Sequence, residues 1–204
     1  MGADDPRLAP SRDPQRSRVR LQEAVLPDDR VFADRDRVVR LLDEHGEALA
    51  DRTTAPGHLT GSALVVDARG ERVLLLMHAK LRRWLQPGGH ADGDHELAGV
   101  ALKEASEETG IDGLEVMVPA VDVDIHEVDH GDDLGNHLHL DVRYVVVAPP
   151  DAVESGNHES LELRWVTPDE LADLADEEGI IRLAAAGLEA FSRRRRGSHT
   201  KSSG

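Results

Sequence analysis

Glu104, Glu107 and Glu108 stand at i, i+3 and i+4 in this chain, the spacing that brings side chains onto one face of an α-helix. At about 100° per residue, Leu97, Val100 and Ala101 fall on that same face. The apolar stripe that would seat the helix on a core therefore turns acidic in the last turns. Two costs attend this arrangement. Like charges at such spacing repel, and carboxylates near a helix C-terminus oppose the macrodipole by roughly 0.3–1 kcal/mol each. A solvated acidic face would more naturally lie opposite the apolar stripe. Clustered inward carboxylates call for a cation, and oxygen-only ligands suit Mg²⁺ or Mn²⁺. The spacing favours a metal site over plain surface charge without closing the choice.

Histidines form a second constellation: His90 and His95 before the helix, His126 and His130 near a strand end, and His137 and His139 beyond. His137, His139 and Asp141 alternate, which places them on one face of a strand. Histidine pairs of this kind bind Zn²⁺, Ni²⁺ or Mn²⁺, or contact a substrate phosphate; the other reading is a polar sheet face with hydrogen-bonded imidazoles. Trp84 is a candidate for stacking a substrate base or for ordinary packing. Arg82 and Arg83 divide in the same way between phosphate contacts and solvated charge. The run of arginines at 193–196 fits a solvated helix end better than a patch for an anionic partner.

The elements that must position these groups follow from patterning. Residues 1–20, rich in Arg, Asp, Pro and Ser, are expected to be a disordered arm. Residues 21–55 form a helical segment whose Val31, Val38, Val39, Leu41, Leu42 and Leu49 sit among charges, and Pro56-Gly57 ends it. Aliphatic runs at 59–67 and 72–78 flank a short glycine-bearing turn and predict a hairpin. Residues 87–94 make an irregular loop, and a helix over 95–109 ends at Gly110, placed for a left-handed cap. Strands are expected over 114–128, 137–147 and 161–166. Thr167, Pro168 and Glu170 spell a capping box that opens a helix, and a last helix spans 180–194. Residues 192–204 are expected to be a disordered basic tail. Mixed strands and helices with antiparallel hairpins place the chain in the α/β (α+β) class rather than among doubly wound parallel sheets.

Composition excludes several functions. The chain has 204 residues, 40 acidic against 24 basic, a net charge of −16 and no cysteine. Without cysteine there is no disulfide framework, thiolate cluster or cysteine nucleophile. The negative balance disfavours general nucleic-acid binding, which needs a basic field. Two Phe, two Trp and one Tyr are too few to argue for a base-stacking platform. The apolar runs are too short to span a membrane, and residues 1–20 lack the apolar region of a secretory signal, so a cytoplasmic globular protein is expected.

The stretch GGHADGDHELAGVALKEASEETGI, residues 88–111, resembles the Nudix box, G-x5-E-x7-R-E-U-x-E-E-x-G-U with U aliphatic. Gly89, Glu104, Glu107, Glu108, Gly110 and Ile111 match at the right spacing, and Ala105 fills the first U position. His95 stands where the first glutamate belongs, and Lys103 replaces the arginine. In the family those two side chains support the loop–helix–loop, so their joint change implies that another interaction replaces theirs, with Asp94 and Glu96 as substitutes. GHLTGSALVVD, WLQPGGH, HLHLDVRYVVVA and ESLELRW extend the resemblance over residues 56–191.

The resemblance implies a mixed β-sheet sandwiched between α-helices, here with an N-terminal helical extension. It implies a Mg²⁺- or Mn²⁺-dependent hydrolase that cleaves the pyrophosphate bond of a nucleoside diphosphate derivative or nucleotide. The ions would neutralise phosphate charge, orient the attacking water and lower its pKa. Carried over, Glu104 and Glu108 become metal ligands, with Glu107 beside them as ligand or support and the Gly88 carbonyl as a further ligand. Glu159 is the candidate for a loop carboxylate serving as ligand or general base. His90, His137, His139 and Trp84 are candidates for substrate contacts. Partners would be small nucleotides, and the helix near 30–50 packs either on its own domain or on a second copy in a homodimer. The alternatives are a Nudix-fold nucleotide sensor with little catalysis and a protein binding divalent metal through its histidines. A diphosphate isomerase on the same fold uses a cysteine that this chain lacks.

Overall fold

The computed structural model describes residues 1–129, 136–158, 160–175 and 177–201. After a 3-10 turn at Pro6–Leu8 come helices α1 (Pro14–Glu23) and α2 (Asp29–His45), and then a 3-10 turn at Gly46–Ala50. Strands β1 (Gly57–Val66), β2 (Val73–His78), β3 (Trp84–Leu85) and β4 (Gly88–His90) lead into helix α3 (Leu97–Thr109). Strands β5 (Glu115–Asp129), β6 (Asn136–Val147) and β7 (Ser160–Val166) precede helices α4 (Pro168–Leu174) and α5 (Glu178–Lys201).

All seven strands join one mixed sheet in the order β3-β2-β1-β6-β5, with β4 on β1 and β7 on β2. β1 and β6 pair in parallel and the other pairs are antiparallel. Every residue of β1 is buried, as befits a strand covered on both faces. On one face, Leu59, Ala63, Val65 and Val142 pack with α3 and with Leu21, Val38 and Leu42 of the N-terminal helices. On the other, Leu64, Val66, Leu75 and Val145 pack with Leu171, Ile180, Leu183 and Phe191 of α4 and α5. The sheet is thus sandwiched between helices, as expected.

Several local readings hold. Asp67 closes the β1–β2 turn by accepting from the backbone N–H of Glu71 at 2.9 Å, and Gly70 takes a φ of 75°. Gly110 adopts the left-handed conformation, φ 66°, and its N–H reaches the Ser106 carbonyl. The Thr167 capping box is complete in both directions.

Three expectations change. Residues 1–20 are not a disordered arm: Asp13 caps α1 through the Gln15 N–H, and Leu8, Ser17 and Leu21 are buried. The scarcity of apolar residues misleads there, because a few suffice when a preformed surface receives them. Residues 192–204 are not a disordered tail as far as Lys201, because α5 runs through the arginine run. Arg193 pairs with Glu189 at 3.3 Å along the helix, and Arg195 donates to the Arg69 carbonyl at 2.7 Å. The loop before α3 contains a strand, since Gly88, Gly89 and His90 pair with Ser62, Gly61 and Thr60.

Candidate active site

The acidic turns of α3 face β4 because small residues let the two approach. A Cβ on Gly61 would lie 2.9 Å from the Leu97 carbonyl oxygen, so glycine is what permits α3 to lie against β1. A Cβ on Gly88 would lie 2.2 Å from Ser62 Oγ, and one on Gly89 would lie 2.6 Å from the Glu104 carboxyl carbon. The backbone of 88–89 is therefore pressed between β1 and the helix carboxylates. The Gly88 N–H donates to Glu108 Oε2 at 2.8 Å, a charge-assisted bond that fixes the carboxylate's position.

Glu104 and Glu108 line one cavity of about 420 Å³ together with Gly88, Gly89, His90 and His139. Glu108 is only 5 % exposed. Glu107 does not join them: its side chain is 58 % exposed and pairs with Lys103 at 3.2 Å. On their shared face, at about 100° per residue, Glu108 lies about 40° to one side of Glu104 and Glu107 about 60° to the other, so the helix turns the first two to the cavity and leaves Glu107 at the solvent edge. Trp84 is absent from the cavity lining and packs instead under the Arg164 guanidinium, 5.0 Å from the ring centre. His137 is also outside the lining but stands beside His139, with ring centres 5.4 Å apart. Glu159 and His130 lie outside the described residues.

A buried charge network reaches the cavity through Asp141 and Arg143, which line it, and no single segment of the sequence announces it. The Arg143 side chain, 4 % exposed, donates to Asp141 at 2.7 Å and to Asp122 and Asp124 at 3.1 Å each. Thr60 and Ser62 both donate to the other oxygen of Asp141 at 2.9 Å. Arg182 of α5 reaches Asp122 at 3.0 Å and Asp124 at 2.8 Å. Burial raises the Asp122 carboxyl above the ordinary range despite its arginines. Burial would also raise Asp124, yet the His126 hydrogen bond and the charges of Arg143 and Arg182 carry it well below. At the mouth, Arg52 donates to Asp92 at 2.8 Å, and this hydrogen bond lowers the Asp92 carboxyl. The alternation of His58, Thr60 and Ser62 within an otherwise aliphatic run is the feature of the sequence that marks this polar face of β1, and the aliphatic reading of 59–67 passes over it.

The changed box positions have their own partners. His95 is fully buried; its Nδ1 lies 2.9 Å from Ser17 Oγ and its Nε2 lies 3.1 Å from the Glu47 carbonyl. With Nε2–H donating to the Glu47 carbonyl, Nδ1 is left as an acceptor, and the single Ser17 hydroxyl proton is shared between it and the His95 carbonyl oxygen at 3.0 Å. Glu96 takes the Arg20 guanidinium at 2.8 Å, and Asp94 accepts from the Ser11 N–H at 2.9 Å. The loop before α3 is thus held by α1 and its leading segment, while Lys103 lies outside and pairs with Glu104 at 2.9 Å. Ser17→Ala leaves the buried imidazole nitrogen unsatisfied, so a loss of about 1–3 kcal/mol is expected in urea unfolding. Gly89→Ala gives a second expected result: its Cβ displaces the flexible Glu104 carboxylate, so activity falls about tenfold or more while stability changes little. Paired kinetics and thermal melts check it.

The glycine cradle and paired oxygen donors suit a hard divalent cation, because Glu104 and Glu108 offer carboxylate oxygens on one wall. Comparison with known proteins gives the following matches. Residues 57–185 match the family model described as the NUDIX domain. A protein named "Putative 8-oxo-dGTP diphosphatase 3", from two strains of Mycobacterium tuberculosis, is 33% identical over 113 residues, covering 52% of this chain and 49% of that protein. The chain therefore spans about half the length of the curated relatives it matches. Among solved structures, an Ap4A hydrolase complex from C. elegans aligns with TM-score 0.48 and 19% identity, over 68% of this chain and 98% of that one. The dihydroneopterin triphosphate pyrophosphohydrolase of E. coli aligns with TM-score 0.48 and 15% identity, over 62% and 91%.

Proposed function

The chain belongs to the NUDIX domain family, and from that premise we propose that it is a Mg²⁺- or Mn²⁺-dependent hydrolase of the pyrophosphate bond in a nucleotide or nucleoside diphosphate derivative. One observation carries this reading: Glu104 and Glu108 share a cavity wall with the closely packed backbone of Gly88 and Gly89. Bound divalent ions would supply charge neutralisation at the phosphate oxygens and a water of lowered pKa. Glu104 and Glu108 would hold them, and the Gly88 N–H keeps the Glu108 carboxylate in place. His90 and His139, which line the cavity, would meet phosphate oxygens as hydrogen-bond donors. Asp122 and Asp124, bonded to Arg143 behind the lining, would hold Arg143 and Asp141 in place so that reacting groups keep their spacing. Glu107 would support the site through the chain of ion pairs from Lys103 to Glu104. The substrate class is a small nucleotide, in keeping with the name of the mycobacterial relatives.

The test is a panel of nucleotide sugars, dinucleotides, ADP-ribose and nucleoside triphosphates, including those with an oxidised guanine, incubated with Mg²⁺ or Mn²⁺ and with chelator. Release of a nucleoside monophosphate that stops when the metal is chelated supports the reading. Tight binding of one compound with no turnover on any would replace it with a nucleotide sensor.

A further inference from the structure

We propose that His58, His90 and His139 form a site for an imidazole-preferring divalent metal of the Zn²⁺ class, separate from the carboxylate pair on α3. The sheet register brings these residues together from distant parts of the chain. His58 on β1 pairs directly with His139 on the parallel strand β6. His90 on β4 pairs with Thr60, two residues beyond His58 on the same face of β1. One nitrogen from each of the three rings lies within 4.8 Å of the others. The ring centres are 5.0 Å apart for His58 and His90, 5.0 Å for His58 and His139, and 5.1 Å for His90 and His139.

The donor chemistry separates this cluster from the neighbouring carboxylates. Three imidazoles suit zinc, copper or nickel, whereas Mg²⁺ prefers oxygen. Tetrahedral zinc with Zn–N of about 2.0–2.1 Å asks for nitrogens roughly 3.4 Å apart. Small rotations of side chains would close the cluster to that spacing. His58 is 1 % exposed, so its ring is held by the sheet, while His90 and His139 line the open cavity. The fourth position would then face the cavity, where a water or a phosphate oxygen could enter. Further imidazoles stand behind and beside the trio: His137 with its ring centre 4.7 Å from His58, and His126 at 5.5 Å from His139. None of the three ligands belongs to the acidic helix, so the site stands whether or not the protein hydrolyses a pyrophosphate.

The test uses the full chain without an affinity tag, stripped with chelator and titrated with Co²⁺ under visible spectroscopy. The expected result is one equivalent of Co²⁺ with ligand-field bands of a nitrogen-rich, low-coordinate site. Zn²⁺ displaces it, and excess Mg²⁺ does not. His90→Ala or His139→Ala should weaken this binding by at least about 100-fold, as loss of a direct ligand exceeds the usual effect of an outer one. Glu108→Gln should leave it intact. Absence of the bands, or their loss in Glu108→Gln with retention in the histidine variants, overturns the proposal. Circular dichroism checks that each variant folds. X-ray absorption of the Zn²⁺-loaded wild type counts imidazoles without any substitution; three support the site, and fewer than three refute it.

Discussion

Glu108→Gln is expected to reduce kcat/KM by about 10²–10³-fold while leaving the fold intact. Glutamine keeps the size of the side chain and an amide oxygen to accept the Gly88 N–H, which now meets the Glu108 carboxylate at 2.8 Å. The change removes a negative charge from the cavity wall shared with Glu104. Charge stabilisation through a bound divalent ion contributes several kcal/mol, and each 1.36 kcal/mol corresponds to about tenfold in rate. The contrasting variant is Glu107→Gln. Glu107 is exposed and pairs across the helix surface with Lys103, so a loss below about tenfold is expected. Initial rates at several Mg²⁺ concentrations, with a thermal melt of each variant, make the comparison. Equal losses in the two variants would show that the metal-holding face of α3 is wrongly assigned.

Arg143→Met is expected to cost about 3–5 kcal/mol of folding stability, the usual result of leaving buried charge uncompensated. Arg143 meets Asp141, Asp122 and Asp124 in the interior, and Arg182 would remain as the other cation bonded to the latter two. Asp141 would keep only the Thr60 and Ser62 hydroxyls among these partners. The deficit should depend on pH in a definite direction. Asp124 is depressed in the folded protein, so its contribution is complete above the ordinary carboxylate value and fades as pH falls through the lowered one. Asp122 is raised, so its contribution is present below the ordinary value and fades as pH rises through the folded one. Without Arg143, the buried carboxylates take up protons more readily in the folded state. The variant's deficit should therefore be smaller near pH 4 than near pH 7. Denaturant unfolding at the two pH values measures it, and a deficit independent of pH would mean the loss is one of packing alone.

Much of the fold was legible because its signals are local. The α3 cap, the hairpin turn and the Thr167 capping box each depend on a few residues whose backbone preferences and side-chain hydrogen bonds act at short range. Helix α2 was legible from its apolar periodicity, whereas α1 and the segment before it were not. Leu8, Ser17 and Leu21 gain burial only because the loop before α3 and the sheet are already there to receive them. His95 looked like a lost glutamate in the sequence, whereas Ser17 and the Glu47 carbonyl give it partners from 78 and 48 residues away.

The residues themselves determined that carboxylates would gather on α3 and that small residues would precede it, because helical periodicity is a property of the local chain. Tertiary structure decided which carboxylates face the cavity. Glu104 and Glu108 turn toward Gly88 and Gly89, and Glu107 turns to solvent, since the helix settles on β1 through Gly61. It also decided the company of His139. Alternation placed His137 and Asp141 on its strand face, but parallel pairing of β1 with β6 brought His58 beside it, and β4 brought His90. Strand register is set by the burial of whole faces across a sheet, so no spacing within a single segment encodes it.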